Sequence, residues 1–204
     1  MTEGIPGYAE ALAADEIGRE LAFLVDIPRP LCGGMVRPMA LRDMLLLRHA
    51  GSPFVCGFTA EPEAADVRQF LWVLSSAFRP GDHAAQSLFV SLVDVDDVPA
   101  AVAEIRAFVA ETFNDAPGGT VGGAEDREPS TSFVASWVDM MGREYGWTLA
   151  ETLRAPLPVL YQQQRAILLR TGQKKGFSSR RTARVMGDFQ RTLNPPTPVI
   201  PPTT

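Results

Sequence analysis

The sequence predicts a mainly α-helical protein: a compact multi-helix bundle with a short irregular or hairpin segment near residues 26–38 and a proline-rich C-terminal tail. Three observations carry this. Apolar residues recur at three- and four-residue spacing in five separate windows. Helix punctuation accompanies them, with Thr148 and Glu151 spaced as a capping box and Gly146 placed as a C-cap. Of the 204 residues 46% are apolar, enough to bury a real core.

Taken in order, residues 7–25 read as a first helix, with Ala11, Leu12, Ile17, Leu21 and Leu24 as a loose stripe. The stretch DIPRPLCGGMVRPM holds three prolines and two glycines and is too broken for a helix; it predicts an extended segment or a hairpin turning at Gly33 and Gly34. Pro38 is placed to open the next helix, whose stripe is Leu41, Met44, Leu45 and Arg48, and Gly51 ends it. GSPFVCG reads as a loop plugged by Phe54 and Val55. Glu61 and Pro62 start a third helix that buries Val67, Phe70, Leu71, Leu74 and Phe78. Residues 86–93, QSLFVSLV, fit either a strand or a helix by length, and helical neighbours favour a helix. Asp96, Asp97 and Pro99 signal another helix start, followed by Val102, Ile105, Phe108, Val109 and Phe113.

Residues 1–113 thus form an N-terminal helical half, and residues 114–129, with four glycines and two prolines, a linker. Residues 130–172 form a C-terminal helical half. In it Phe133, Trp137, Met140, Met141 and Tyr145 line one face, Thr148 starts a short helix ended at Pro156 and Pro158, and Leu160, Tyr161, Ile167 and Leu168 mark the last helix before Gly172. A basic segment, 173–193, and a tail, 194–204, complete the chain; five prolines in the last ten residues favour polyproline II. About six or seven helices are expected.

The formal charge of −5 conceals an asymmetry. Arg165 to Arg191 contains eight basic residues and one acidic, net +7, while the rest holds eleven basic and 23 acidic, net −12. An acidic body of this kind is a poor nucleic-acid coat. Cys32 and Cys56 make no disulfide framework and read as reduced thiols. The N-terminus lacks the charged and apolar regions of a signal peptide, and no run of apolar residues is long enough to span a bilayer. These features predict a protein of the cytoplasm, or of a particle assembled there, with no membrane contact.

Chemistry-bearing patterns are sparse. His49 and His83 fit no metal-ligand spacing, and Asp94, Asp96 and Asp97 lack the glycine and glutamate of a calcium loop and read as helix caps. Cys32, before two glycines, has no visible base and reads as a structural thiol. GTVGG and LCGGM match no phosphate-cradling loop. No catalytic residue, metal or cofactor is therefore expected. Trp72, Trp137 and Trp147 are spaced as packing anchors. Lys174, Lys175, Arg180, Arg181 and Arg184, interleaved with Phe177 and flanked by Phe189, admit three readings: a solvated tail, docking to an acidic protein surface, or contacts to nucleic-acid phosphates.

Two segments carry a family resemblance. GMVRPMALRDMLLLRHAGSPFVCG, Gly34 to Gly57, with the aromatic-rich DVRQFLWVLSSAF after it, resembles the opening of small proteins encoded among phage and prophage tail genes. YGWTLAETLRAPLPVLYQQQRAILLRTG, Tyr145 to Gly172, resembles the helix pair of tail assembly chaperones and related tail-module proteins. The resemblance covers about a third of the chain. It implies a helical, soluble, non-enzymatic protein that coats the long tape-measure protein and recruits tail-tube subunits. A second reading is a virion structural or head–tail joining component whose basic segment touches DNA or a neighbouring subunit. The expected partner surface is apolar and methionine-bearing, with Met140, Met141 and Trp147 on it and Met39 and Met44 in neighbouring helices; taken one at a time, the same methionines read equally as core filler.

Overall fold

The computed structural model describes residues 27–56, 61–116 and 132–172, with the single positions Ala13, Glu16, Ile17 and Glu20, all four helical. The rest of the first expected helix, most of the linker, the basic segment with Lys174, Lys175, Arg180, Arg181 and Arg184, and the proline-rich tail lie outside the described residues.

Among the described residues the chain is mainly helical. One antiparallel hairpin, β1 (Arg29–Leu31) and β2 (Gly34–Val36), precedes α1 (Leu41–His49), α2 (Pro53–Cys56), α3 (Ala64–Leu74), α4 (His83–Leu92), α5 (Val98–Thr112), α6 (Phe133–Tyr145), α7 (Leu149–Arg154) and α8 (Leu157–Arg170). That is eight helices, because the plug at Phe54 is a short helix, not a loop. The segment 86–93 lies mostly in α4 and is helical.

The hairpin turns at Cys32 and Gly33, one residue earlier than expected. Leu31 pairs with Gly34, leaving two loop residues that both take positive φ, +48° and +73°. This is the geometry that matches strand twist in a two-residue turn, and glycine takes it without a Cβ clash, whereas Cys32 does not. Glu104 on α5 holds the strained residue by accepting a hydrogen bond from its backbone N–H at 2.9 Å.

Helix starts follow the caps. The Asp97 carboxylate accepts from Ala100 N at 2.9 Å, and Thr148 and Glu151 form the reciprocal box, Glu151 N to Thr148 Oγ1 at 3.2 Å and Thr148 N to Glu151 Oε2 at 2.8 Å. The bond from Thr148 N, and then one from Thr148 Oγ1 to the same oxygen at 2.7 Å, hold the Glu151 carboxyl below its ordinary value. Thr148→Ala is expected to cost about 1 kcal/mol, read from chemical denaturation. Gly146 ends α6 in the left-handed region at φ +70°. Two starts fall later than expected. Pro38 stays in extended chain and α1 begins at Leu41, while α3 begins at Ala64 behind Glu63, whose N–H is capped by Asp66 at 2.8 Å.

A single core joins the two sequence halves. Phe70 on α3 meets Phe54 edge-on at 5.3 Å and Phe108 at 6.1 Å, and Trp137 on α6 meets Tyr161 on α8 edge-on at 5.0 Å. The halves are also stitched by backbone: Leu41 N donates to Ala155 O at 3.2 Å, Leu157 N to Met39 O at 2.9 Å, and Ala40 bridges Pro156. Asn114, Asp115 and Ala116, assigned to the linker by composition, are buried, and Asp115 accepts from Gln162 on α8 at 3.2 Å.

One buried ion pair anchors this junction. Asp43 on α1 is 2% exposed and pairs both carboxylate oxygens with the Arg37 guanidinium while accepting from Ala40 N at 3.0 Å. Arg37 in turn closes the end of α3, its backbone N–H donating to Leu74 O at 3.0 Å and its Nη2 to Val73 O at 2.9 Å. No helix among the described residues is long and apolar enough to cross a membrane.

Candidate functional site

The expected methionine surface is only partly a surface. Met141 is 0% exposed and belongs to the core, so it faces no partner; this corrects its assignment as a binding residue. A helical stripe shows which positions share a face, and on α6 the inward side of that face runs through Trp137 and Met141. Met140 and Trp147 are half-buried and packed against the core. Trp147 is thus less enclosed than Trp72 and Trp137, at 3% and 2% exposure. Met39 is buried and Met44 nearly so. The basic cluster from Lys174 to Arg184 lies outside the described residues.

A more open apolar site lies elsewhere, between the hairpin and α4. Alternation along the hairpin sends Leu31 and Val36 into the core and leaves Met35, opposite Pro30, outside. Helix α4 packs through Phe89, whose ring lies 5.3 Å from that of Trp72, and turns Leu88 and Leu92, one turn apart, outward. Leu92 is 74% exposed, Leu88 62% and Met35 59%. Leu92 and Met35 both line a cleft of about 230 Å³ floored by Leu71 and Phe89. Leu92 and Met35 thus expose large apolar side chains at one cleft, with Leu88 one helical turn from Leu92.

The cleft continues into an acidic rim. Cys32 and Asp94 line both it and an adjoining hollow of about 200 Å³ that also takes in Asp96, Asp97 and Glu104. Asp97 and Glu104 are occupied by the α5 cap and by Cys32 N, while Asp94 and Asp96 stand exposed at the edge. The ridge therefore suits an apolar helix with basic flanks.

Cys32, at the join, is held as the thiol. Burial, and then the hydrogen bond and charge of Glu104, push its thiol up to about 12, so the thiolate is disfavoured. Alkylation of Cys32 by iodoacetamide at pH 8.5 is expected to be on the order of a hundredfold slower in the folded protein than in urea, read by mass spectrometry. Because the folded value lies above the ordinary 9.0, this group's contribution is complete below pH 9 and is lost as the pH rises towards 12. His49 ends α1 and His83 begins α4, and both are exposed. Among the described residues no group of three or more His, Cys, Asp or Glu is placed to hold a metal ion.

Sequence reasoning missed this ridge because residues 86–93 fit a strand as well as a helix, and the face of a segment is undefined until its period is known. Met35 could have been found from strand alternation around the Gly33–Gly34 turn signal, had the register been one residue earlier. Compared with protein-family models, curated proteins and solved structures, the chain matches none.

Proposed function

We propose that the chain is a non-enzymatic tail-assembly protein of phage or prophage type, chaperone-like, that holds an apolar helix of a partner such as the tape measure against Leu88, Leu92 and Met35. It acts in the host cytoplasm during assembly and needs no cofactor. The observation that carries the reading is the exposed apolar ridge of α4 beside an adaptable methionine and an acidic rim. The resemblance of Gly34–Gly57 and Tyr145–Gly172 to tail-module segments supplies the partner class.

Co-expression with a tape-measure protein tests this. The expected result is a soluble complex, with the partner precipitating when made alone. Leu88→Asp/Leu92→Asp should abolish co-purification while changing thermal unfolding of the chain little, since both side chains are mostly exposed. Failure of the wild type to co-purify with any tail protein, or an undiminished complex with the double variant, overturns the reading. The alternative, a virion structural or head–tail joining component, predicts instead that the chain is retained on DNA through its basic segment, with affinity falling steeply as salt rises.

A further inference from the structure

A second cleft, sharing no lining residue with the α4 ridge, gathers positive charge on an acidic body. It has a volume of about 480 Å³, within the range of small-ligand pockets, and lies between the start of α1, the turn after α3 and the end of α7. Four arginines line it: Arg37, Arg42, Arg79 and Arg154. Among the described residues its only carboxylate is Asp43, which is already committed to Arg37 and to Ala40 N. Among the described residues Arg42, Arg79 and Arg154 have no ion-pair partner. Arg79 is anchored by Nη1, which donates to Ser76 O at 3.1 Å and Phe78 O at 2.9 Å, and no bond among the described residues engages its Nε or Nη2.

The walls are tied together by backbone. Arg37 N to Leu74 O fixes the end of α3 to the approach to α1, and Leu41 N to Ala155 O fixes the start of α1 to the end of α7. Arg42 and Arg154 are thus carried on elements locked in register, and Arg79 on the turn that leaves the end of α3. Like charges held this way repel, which is a cost that a bound anion removes.

We propose that this cleft binds a polyvalent oxyanion of the phosphate class, its phosphate groups held by Arg42, Arg79 and Arg154. The planar guanidinium fork matches phosphate oxygens in pairs. A carboxylate offsets a single charge and one phosphate monoester roughly −1.5 to −2, so a diphosphate meets three free cations better than either. Free pyrophosphate and the diphosphate of a nucleotide share this chemistry.

The test is calorimetric titration of inorganic pyrophosphate into the full chain at low ionic strength. Saturable binding is expected, weakened roughly tenfold or more in Arg42→Gln/Arg154→Gln, whose thermal unfolding is checked in parallel. Arg79→Gln alone gives a second reading should the double variant unfold. A variant with Lys174, Lys175, Arg180, Arg181 and Arg184 all changed to Gln should bind as the wild type does. A nucleoside diphosphate in a second arm separates the sources: binding that needs the same arginines assigns a nucleotide, and no binding assigns free polyphosphate. No saturable heat with pyrophosphate, equal affinity in the cleft variants, or loss of binding in the basic-segment variant overturns the proposal.

Discussion

Trp137→Ala is expected to lower the unfolding free energy by about 3–5 kcal/mol. The indole is 2% exposed and sits between Phe133, with ring centroids 5.3 Å apart, and Tyr161, edge-on at 5.0 Å. It packs α6 against Tyr161 on α8, so truncation leaves a void that neither ring neighbour can readily fill. Domains of this size are stable by only about 5–15 kcal/mol, so the variant should lose a large fraction of its stability. Urea denaturation followed by circular dichroism measures the loss, and a midpoint close to wild type would show that Trp137 is not a packing anchor.

Asp43→Ala is expected to cost about 3 kcal/mol. The carboxylate serves two partners at once, the Arg37 guanidinium and the Ala40 N–H that begins α1. Its removal strands both. Asp43 is 2% exposed but the Arg37 side chain is 35% exposed, so water recovers part of the guanidinium's solvation and the cost falls at the low end for a broken buried pair. Asp43→Asn keeps an acceptor for Ala40 N and loses the charge, so it should fall between wild type and Asp43→Ala. The same urea experiment ranks the three; if Asp43→Ala lies within about 1 kcal/mol of wild type, the pair contributes no more than an exposed one.

These two residues differ in how far they could be seen coming. Trp137 lies on a regular stripe with Phe133 and Met141, and that spacing, with a tryptophan's large apolar area, reads as a packing anchor. Asp43 gives no such signal. It lies between Leu41 and Met44 on the buried side of α1, where an acid is tolerated only because Arg37, six residues earlier, is turned back towards it by the bond from Arg37 N to Leu74 O on α3. The Arg42, Arg79 and Arg154 cleft was equally illegible. Its members come from three elements spread over 113 positions, and nothing local to any of them marks a binding residue.

By itself the sequence determined the helical class, the stops at Gly51, Gly146 and Gly172, the starts at Asp97 and Thr148, and the hairpin's place before α1. Each is set within four or five residues, by side chains that reach their own backbone or by glycine's freedom at positive φ. Tertiary structure alone decided that Met141 is core while Met35, Leu88 and Leu92 face outward, that Asn114–Ala116 belongs to the core, and that Asp43 is buried against Arg37 while Arg42, Arg79 and Arg154 share a cleft. Periodicity defines a face but not what meets it. Burial and pairing depend on residues far apart in the chain, and those contacts exist only once the helices have packed.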